Sequence, residues 1–446
     1  MNDLFTTYNL HLSDIELFAA KDPHLYRLQQ QPLVHNFTIL NNLDLHTPGI
    51  YTLGGGRQIG KSTLLKQWML FLLRTAAINP RNIFFLSGEL IDDHHSLYKI
   101  MQTQLNTMET GFKYLIIDEI TYISQWDKAI KFAADLGMLQ DVVLILTGSD
   151  LSLTHDAKML FPGRRGRADK VDFHLYPLNF AEVLALKKCI APTIDDLFIE
   201  FNYYLQHGGY LTAINDLAKD GQIAIATLNT YSDWIRGDIL KKGKQEIYLK
   251  EILTSIIKKY NSQLTWHSLA KDLSIDHHQT VADYVTILAN MDAVYIQPAL
   301  LEDKLIAAPK KAKKIVFADP FIYHAIFFWL YPVADPYHEQ IKPAINNPEV
   351  ISTIVEAAVA TSIRRIYPTY YIKAEGEVDI AYIKQDKFWP IEIKWTNQLR
   401  PQDLKQIKKY PNAKVWSKIR HASNFQELLV EPLPEALANF MRELSG

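Results

Sequence analysis

An α/β architecture, with a parallel sheet first, a helical region next and a second α/β region last, is the fold class this sequence predicts, and three observations predict it. Residues 55–62 read GGRQIGKS and fit GxxxxGK(S/T), between a short apolar run at 50–53 and a helical recurrence of Leu64, Leu65, Trp68, Met69 and Leu72. Strand-like apolar runs at 82–86, 114–119, 142–147 and 171–175 then alternate with helical patterns, which is the signature of parallel strands joined by helices. Near the end, residues 377–383 (EVDIAYI) and 389–395 (WPIEIKW) alternate as two strands across the polar turn 384–387.

The glycine-rich loop is the first element with chemistry in it. Gly55 and Gly60 let the backbone wrap closely, so that the N–H groups of Gly55, Gly56, Arg57, Gln58, Ile59, Gly60 and Thr63 can cradle phosphates at a helix N-terminus. Lys61 is expected to hold the β/γ-phosphates of ATP and Ser62 to ligate Mg2+. A plain glycine turn before an amphipathic helix is the structural alternative. The run 114–119 (YLIIDE) supplies the carboxylates that such a loop needs, with Asp118 orienting the metal's water shell and Glu119 acting as general base. Two acids at a strand end also occur as a helix cap or a solvated turn. The run 142–147 leads into Gly148, Ser149 and Asp150, and Ser149 is expected beside the γ-phosphate, although Thr-Gly-Ser after a strand is ordinary turn chemistry as well. His94 and His95 are read as solvated capping residues.

Between the last two strands of this region lies FPGRRGR, residues 161–167. Arg164, Arg165 or Arg167 would stabilise a transferring phosphoryl group, in cis or across the interface of a homo-oligomer; a solvated basic loop is the alternative.

Composition narrows the function classes. The chain of 446 residues carries 47 basic and 49 acidic residues, so no global field commits it to nucleic acid or to an anionic membrane. A single cysteine, Cys189, excludes an intrachain disulfide and a cysteine-built metal cage, which fits a reducing cytoplasm. The start, MNDLFTTYNL, lacks the pattern of a signal peptide, and a cytoplasmic location is expected. The most apolar run, 321–333, contains His324 and is too short to cross a bilayer; it is expected to be a core helix, and no membrane association is expected. Residues 1–47 read as a peripheral helical segment, with Leu17, Phe18, Leu25, Leu28 and Leu33 free to pack against the nucleotide domain.

The motifs GGRQIGKSTLL, YLIIDEI, ILTGSD and PGRRGR, followed by YPLNFAEVL at 176–184, resemble the prokaryotic AAA-type P-loop ATPases that carry a C-terminal domain of unknown function. The resemblance runs from about residue 54 to 395 and implies ATP with Mg2+, an ATPase core at 48–190 and a helical lid at 191–245. That family's Gly-Gly-aromatic-Pro signature is matched by His207, Gly208, Gly209 and Tyr210, with Leu211 in the proline's place.

Residues 246–335 read as a winged helix: a helix near 269–273, a polar break at 274–278, a helix at 281–288 and two strand-like runs at 293–297 and 314–318. In a DNA-binding reading Gln279 and Thr280 face a major groove while Lys304, Lys310, Lys311 and Lys313 meet phosphate. In the other the module packs against its neighbours, and the Asp283 in its second helix, which lacks arginine, weighs that way.

In residues 345–446 Glu356 falls in a helix at 355–366, and the hairpin brings Asp379, Glu392 and Lys394 to one face. Carboxylate oxygens there suit a second Mg2+ or Mn2+, with Lys394 beside them to position water for phosphodiester attack. The set Glu356, Asp379, Glu392 and Lys394 is similar to the PD-(D/E)xK superfamily, which implies a restriction-endonuclease-like α/β fold. Gln406 and Tyr410, on an expected basic helix, resemble the extra motif of RecB-like nucleases. Arg364, Arg365, Lys405, Lys408 and Lys409 are expected to contact nucleic-acid phosphates. A degenerate domain that binds DNA, RNA or protein without cutting is the alternative, within an ATP-driven switch or scaffold.

Overall fold

The computed structural model describes residues 5–443 except 6, 42, 149–151, 272 and 276, and of residues 152 and 154–156 it describes the backbone only. The chain divides into two units, Met1–Tyr176 and Pro177–Gly446. In the first, β1 (Gly49–Gly54), β2 (Ile83–Ser87), β3 (Lys113–Asp118), β4 (Val142–Thr147) and β5 (Asp172–His174) stand in the order β2-β3-β4-β1-β5. Every pairing is parallel. The connections between the first four strands are the helices Lys61–Arg74, His94–Thr107 and Trp126–Asp135, and residues of the latter two join the strands in one apolar core. Burial on both faces explains why β1, β3 and β4 read as unbroken apolar runs rather than alternating ones. Because β4 stands between β1 and β3, the turns leaving β1 and β3 flank one crevice at the carboxyl ends of the strands, where open α/β sheets bind ligands.

The N-terminal segment does more than the apolar packing predicted for it. Asn9 Nδ2 donates to Phe85 O at 2.9 Å and Phe85 N donates to Asn9 Oδ1 at 2.7 Å, so a side-chain amide pairs with the free edge of β2. The His11 ring lies 3.0 Å from Ile83 O on the same edge. Phe18 and Leu25 are buried as expected, whereas Leu17 is 42% exposed. Lys66, fully buried, donates to Tyr8 O at 2.8 Å, lies 3.4 Å from Asp22 Oδ2 and stacks over the Phe85 ring. At the start of the second helix Asp93, not the histidines after it, caps the N-terminus.

The second unit opens with the helices Phe180–Leu186, Ile194–His207, Leu211–Asp220 and Ile225–Lys241. The helix Phe180–Leu186 follows the division at Tyr176. The helix Glu246–Lys258 comes next, and the stretch expected to form a winged helix follows as the helices Trp266–Ala270 and His278–Asn290 and, in the expected wing, β6 (Val294–Pro298), β7 (Leu300–Leu301), β8 (Ile306–Ala307) and β9 (Lys313–Phe317), with β6 and β9 antiparallel. The apolar run near 321–333 is the buried helix Pro320–Leu330. No helix among the described residues is long and apolar enough to cross a membrane.

A six-stranded mixed sheet ends the chain, with β10 (Thr369–Lys373), β11 (Glu377–Lys384), β12 (Lys387–Lys394), β13 (Lys414–Ser417), β14 (Ser423–Phe425) and β15 (Leu428–Pro432) in the order β10-β11-β12-β13-β15-β14. The helix Pro348–Arg364 packs on β10, β11 and β12. The basic helix predicted around Gln406 and Tyr410 is instead two short 3-10 turns, Pro401–Leu404 and Ile407–Lys409.

The wing does not stand free. Gln297 Nε2 donates to Tyr370 O and Asp379 O, both at 3.0 Å, Tyr371 OH donates to Ala312 O at 2.6 Å, and Ala299 bridges to Tyr371. The elements of residues 266–317 and the terminal sheet thus share one unit. Another joint in this unit is the turn His207–Tyr210. A Cβ on Gly208 would stand 1.6 Å from Asp319 Oδ1, and one on Gly209 would stand 2.0 Å from Leu178 O. The two glycines clear the space in which Asp319 accepts hydrogen bonds from Gly209 N at 2.9 Å and Phe321 N at 2.8 Å. Leu211 opens the next helix, a position that proline or leucine fills equally well, so the turn survives the departure from the family signature.

Candidate functional site

The loop 55–60 leaves β1 with Gly55, Gln58 and Gly60 all at positive φ, which turns its backbone inward and explains glycine at two of the three. A Cβ on Gly60 would meet the Phe37 ring at 2.9 Å, so a side chain of the N-terminal segment lies directly on the loop. Lys61 Nζ donates to Gly55 O and Gly56 O, each at 2.9 Å, and lies 3.5 Å from Glu119 Oε1. Ser62 Oγ donates to Asp118 Oδ2 at 2.5 Å, and Thr147 Oγ1 donates to Asp118 Oδ1 at 2.5 Å. Glu119 N in turn donates to Thr147 Oγ1 at 2.9 Å.

Strands β1, β3 and β4 therefore deliver Lys61, Ser62, Asp118, Glu119 and Thr147 to one place. Thr147 is the member that the sequence did not single out, one strand position before the Gly148–Asp150 turn. Ser149 lies outside the described residues. Burial pushes the Glu119 carboxyl up, and the nearby Lys61 ammonium opposes that rise. Its Oε2 is buried with no hydrogen-bond partner. An orphaned carboxylate oxygen beside a Ser–Asp pair of hard oxygen donors fits a site for Mg2+ and a water-bound phosphate. Arg57 Nη2 donates to Tyr122 OH at 2.7 Å, at the rim.

The arginine turn lies elsewhere. Arg165 Nη2 meets Asp172 Oδ1 at 2.5 Å and its Nε donates to Ile50 O at 3.3 Å, near the start of β1, while the loop follows the strand's other end. Five residue steps of strand separate the two ends of β1, about 16 Å. Arg165 is a pin between β1 and β5, not a charge at the phosphate site of its own chain. Arg164 pairs with Asp135 at 2.7 Å, at the end of the helix Trp126–Asp135, and is exposed, as is Arg167.

Residues 47–184 match the family model of an AAA domain. The first unit carries a P-loop domain of the AAA ATPase type. Residues 199–330, beyond this AAA-type domain, match a domain of unknown function (DUF8612). No curated protein matches the chain. Among solved structures, a Walker-type ATPase of Pyrococcus abyssi is 16% identical, with 65% of this chain and 92% of that one covered and a TM-score of 0.41. The ORC1 protein of Aeropyrum pernix, solved in complex with DNA, is 11% identical over 72% of this chain and 91% of its own, with a TM-score of 0.34. RuvB of Thermotoga maritima is 17% identical over 56% and 82%, with a TM-score of 0.30.

Beyond the AAA-type domain, the terminal sheet gathers a second cluster of charges. The β11–β12 register sets Ile380 opposite Ile391, and one step further sets Asp379 opposite Glu392. Ile393 N donates to Asp379 Oδ2 at 2.8 Å. Lys394 Nζ lies 2.6 Å from Glu392 Oε1 and 3.9 Å from Asp379 Oδ2. Glu356, on its helix, offers an oxygen within 4.8 Å of oxygens on Glu377 and Asp379. The four predicted residues thus meet, and two unforeseen ones join them. Glu377 follows from strand alternation, two residues before Asp379. Lys314 of β9 reaches across from the wing, 2.6 Å from Glu356 Oε1 and in contact with Glu377 Oε1, and no local pattern marks it.

The electrostatics are those of a crowded, dry cluster. Burial, reinforced by the charge of Asp379, pushes Glu356 up to about 7 and Glu392 up to about 8, against the pull of Lys314 and Lys394 respectively. Burial works to lower Lys314 and Lys394, but the surrounding carboxylates outweigh it and hold both well above the ordinary lysine range. Glu392 Oε2 is buried without a hydrogen-bond partner. An all-oxygen donor set with one orphaned oxygen fits a hard divalent cation.

The expected phosphate contacts are mostly spoken for. Arg364 meets Asp292 at 3.4 Å, Arg365 donates to Pro177 O at 2.5 Å, Lys408 pairs with Gln426, and Lys409 pairs with Glu375. Gln406 accepts from Gly376 N at 3.2 Å and donates to Tyr410 OH at 3.3 Å, which places both on the loop before β11. In the winged helix, Gln279 is exposed at the start of its helix and donates to Asp283 at 3.2 Å, while Lys311 is bound to Lys373 O at 3.1 Å.

Proposed function

We propose that the chain is a magnesium-dependent ATPase whose second unit carries a metal-dependent, nuclease-type site acting on nucleic acid. The observation that carries the first half is the convergence of Lys61, Ser62, Asp118 and Glu119 around the positive-φ loop. Bound Mg2+ would neutralise charge on the β- and γ-phosphate oxygens, held by Ser62 and through Asp118. The Lys61 ammonium exchanges its two carbonyl partners for phosphate oxygens. Glu119 orients a water and takes its proton as the oxygen attacks the γ-phosphorus and the bond to the β-phosphate oxygen breaks. Thr147, bonded to Asp118 Oδ1 and to Glu119 N, holds the Asp118 carboxylate and the backbone at Glu119. Arg164 or Arg167, exposed on their turn, would serve a neighbouring copy in a homo-oligomer rather than their own chain.

The second half rests on Glu356 and Asp379 offering oxygens within 4.8 Å of each other, on Lys394 standing near both Asp379 and Glu392, and on a buried Glu392 oxygen without a partner. The wing's bonds to β10 and β11 favour a docking role for the winged helix over a groove-reading one. The test is phosphate release from ATP with Mg2+ by the full chain, together with cleavage of single-stranded, duplex and branched DNA and of RNA with Mg2+ or Mn2+. Cleavage that stops in Asp379→Ala while ATP turnover persists is the expected result. A wild type that cuts none of these substrates, or an Asp379→Ala variant that cuts equally well, leaves an ATP-driven switch or scaffold with an inactive terminal domain.

A further inference from the structure

The terminal carboxylates are not an open cation site, because a cation of the protein's own already stands among them. Lys314 comes from β9 of the wing and its side chain is 2% exposed. Its ammonium bonds Glu356 and Glu377, two of the three residues whose oxygens lie within 4.8 Å of one another. The segment before the wing adds neutral donors to the same acids: Asn261 donates to Glu356, and Gln263 Nε2 donates to Glu377. Each of these bonds fills a lone pair that a metal would use. Glu392 Oε2 is buried without a hydrogen-bond partner, on a residue that is 4% exposed.

We infer that Lys314 is an intramolecular plug of the carboxylate site: its ammonium takes the place of a divalent cation, so that metal entry and the docking of β9 against Glu356 and Glu377 exclude one another. The inference rests on the reading of these carboxylates as a metal site. Three carboxylates this close repel one another in a low-dielectric setting unless a positive charge lies between them. One ammonium or one divalent ion meets that need, and there is no room for both on the same oxygens. Metal loading is then linked to the wing. If Lys314 leaves the acids in about one molecule in a hundred, the observed metal affinity is about a hundredfold weaker than that of the open site. Anything that draws β9 away, such as a ligand on the winged helix, would load the metal by the same factor. Lys394 is not part of the plug, since it lies on β12 beside Glu392 and moves with the terminal sheet.

The experiment is Mn2+ titration calorimetry and thermal unfolding of the full chain without nucleotide, comparing wild type, Lys314→Met and Lys314→Met with Asp379→Ala. We expect Lys314→Met to bind Mn2+ at least about tenfold more tightly than wild type and to melt higher with Mn2+ present, and the Asp379→Ala addition to remove both gains. Equal Mn2+ affinity in wild type and Lys314→Met overturns the plug. So does the absence of any Mn2+ binding that depends on Asp379, which removes the metal reading too. If Lys314→Met folds only with Mn2+, the plug stands; if it folds neither with nor without Mn2+, a metal cannot replace the ammonium and the plug falls. Cleavage measured on the same proteins separates the two ideas. Tighter Mn2+ binding without cleavage keeps the plug and removes the nuclease, whereas cleavage with the same Mn2+ dependence in wild type and variant keeps the nuclease and removes the plug.

Discussion

The nucleotide site and the terminal carboxylate site are both made of acids and lysines brought together at strand ends, yet they balance charge in opposite ways. At the first, Lys61 is held by two neutral carbonyls of its own loop and stands 3.5 Å from Glu119. Its charge is available to an incoming anion, and Asp118 nearby is steadied by two hydroxyls. At the second, each ammonium is locked on a carboxylate at 2.6 Å, and the acids are neutralised in place. A site that keeps its cation on neutral partners is poised to bind phosphate, while one that spends its cations on its own acids must lose one of them before it can bind a metal.

The largest expected effect separates the two lysines. Lys61→Ala should lower steady-state phosphate release from ATP by about a hundredfold or more, because it removes a charge aimed at the transferring group, while Lys394→Ala should leave that release unchanged. Equal losses in both variants would mean that the two sites act as one. The next effect concerns the arginine turn, where two neighbours differ in the same sense as the two sites. Arg165→Met removes the closest charge partner of Asp172, which keeps Thr52 Oγ1 at 2.6 Å and Lys158 at 3.5 Å, and should cost about 1 kcal/mol or more in urea unfolding, with ATP turnover per folded molecule unchanged. A third effect comes from the buried histidines, His11 in the first unit and His324 in the second among them. Burial lowers His324 to about 4, so its folded value lies below its unfolded one and the unfolded chain binds more protons between those values. Stability is therefore full above about 6.5 and declines as the pH falls toward 4, by on the order of 3 kcal/mol for this residue, and His324→Gln should flatten the decline in denaturant unfolding across that range. The smallest effect on stability is that of Arg164→Ala, whose pair with Asp135 is exposed: urea unfolding should be unchanged, whereas turnover should fall if this arginine serves a neighbouring copy.

The sequence made the two sites legible to different depths, and chain distance is the reason. The phosphate loop is eight consecutive residues between a strand and a helix, and YLIIDE carries its acids at the end of another strand, so local pattern finds both. Thr147 escaped because it looks like the end of an apolar strand, although its hydroxyl holds Asp118. In the terminal site Asp379, Glu392 and Lys394 share one hairpin and were found by alternation, and the same alternation would have found Glu377. Lys314, Asn261 and Gln263 lie far from the hairpin in sequence, Gln263 by 114 positions from Glu377, and only tertiary packing brings them in. Arg165 misled for the complementary reason: its position in a basic turn says nothing about which end of β1 that turn lies on. The 3-10 turns around Gln406 and Tyr410 arise in a stretch whose basic residues resemble a helix face, and Pro411 ends it.

The central claim is that Glu119, orphaned beside Lys61, is the base of an ATP-hydrolysing site, and Glu119→Gln tests it most directly because it keeps shape and removes only the charge. Nucleotide binding and turnover would be measured on the same preparation, with a fluorescent ATP analogue for binding and single-turnover phosphate release for hydrolysis. The account expects binding with Mg2+ to persist and hydrolysis to fall by about 10² to 10⁴. Hydrolysis at the wild-type rate in Glu119→Gln would contradict it.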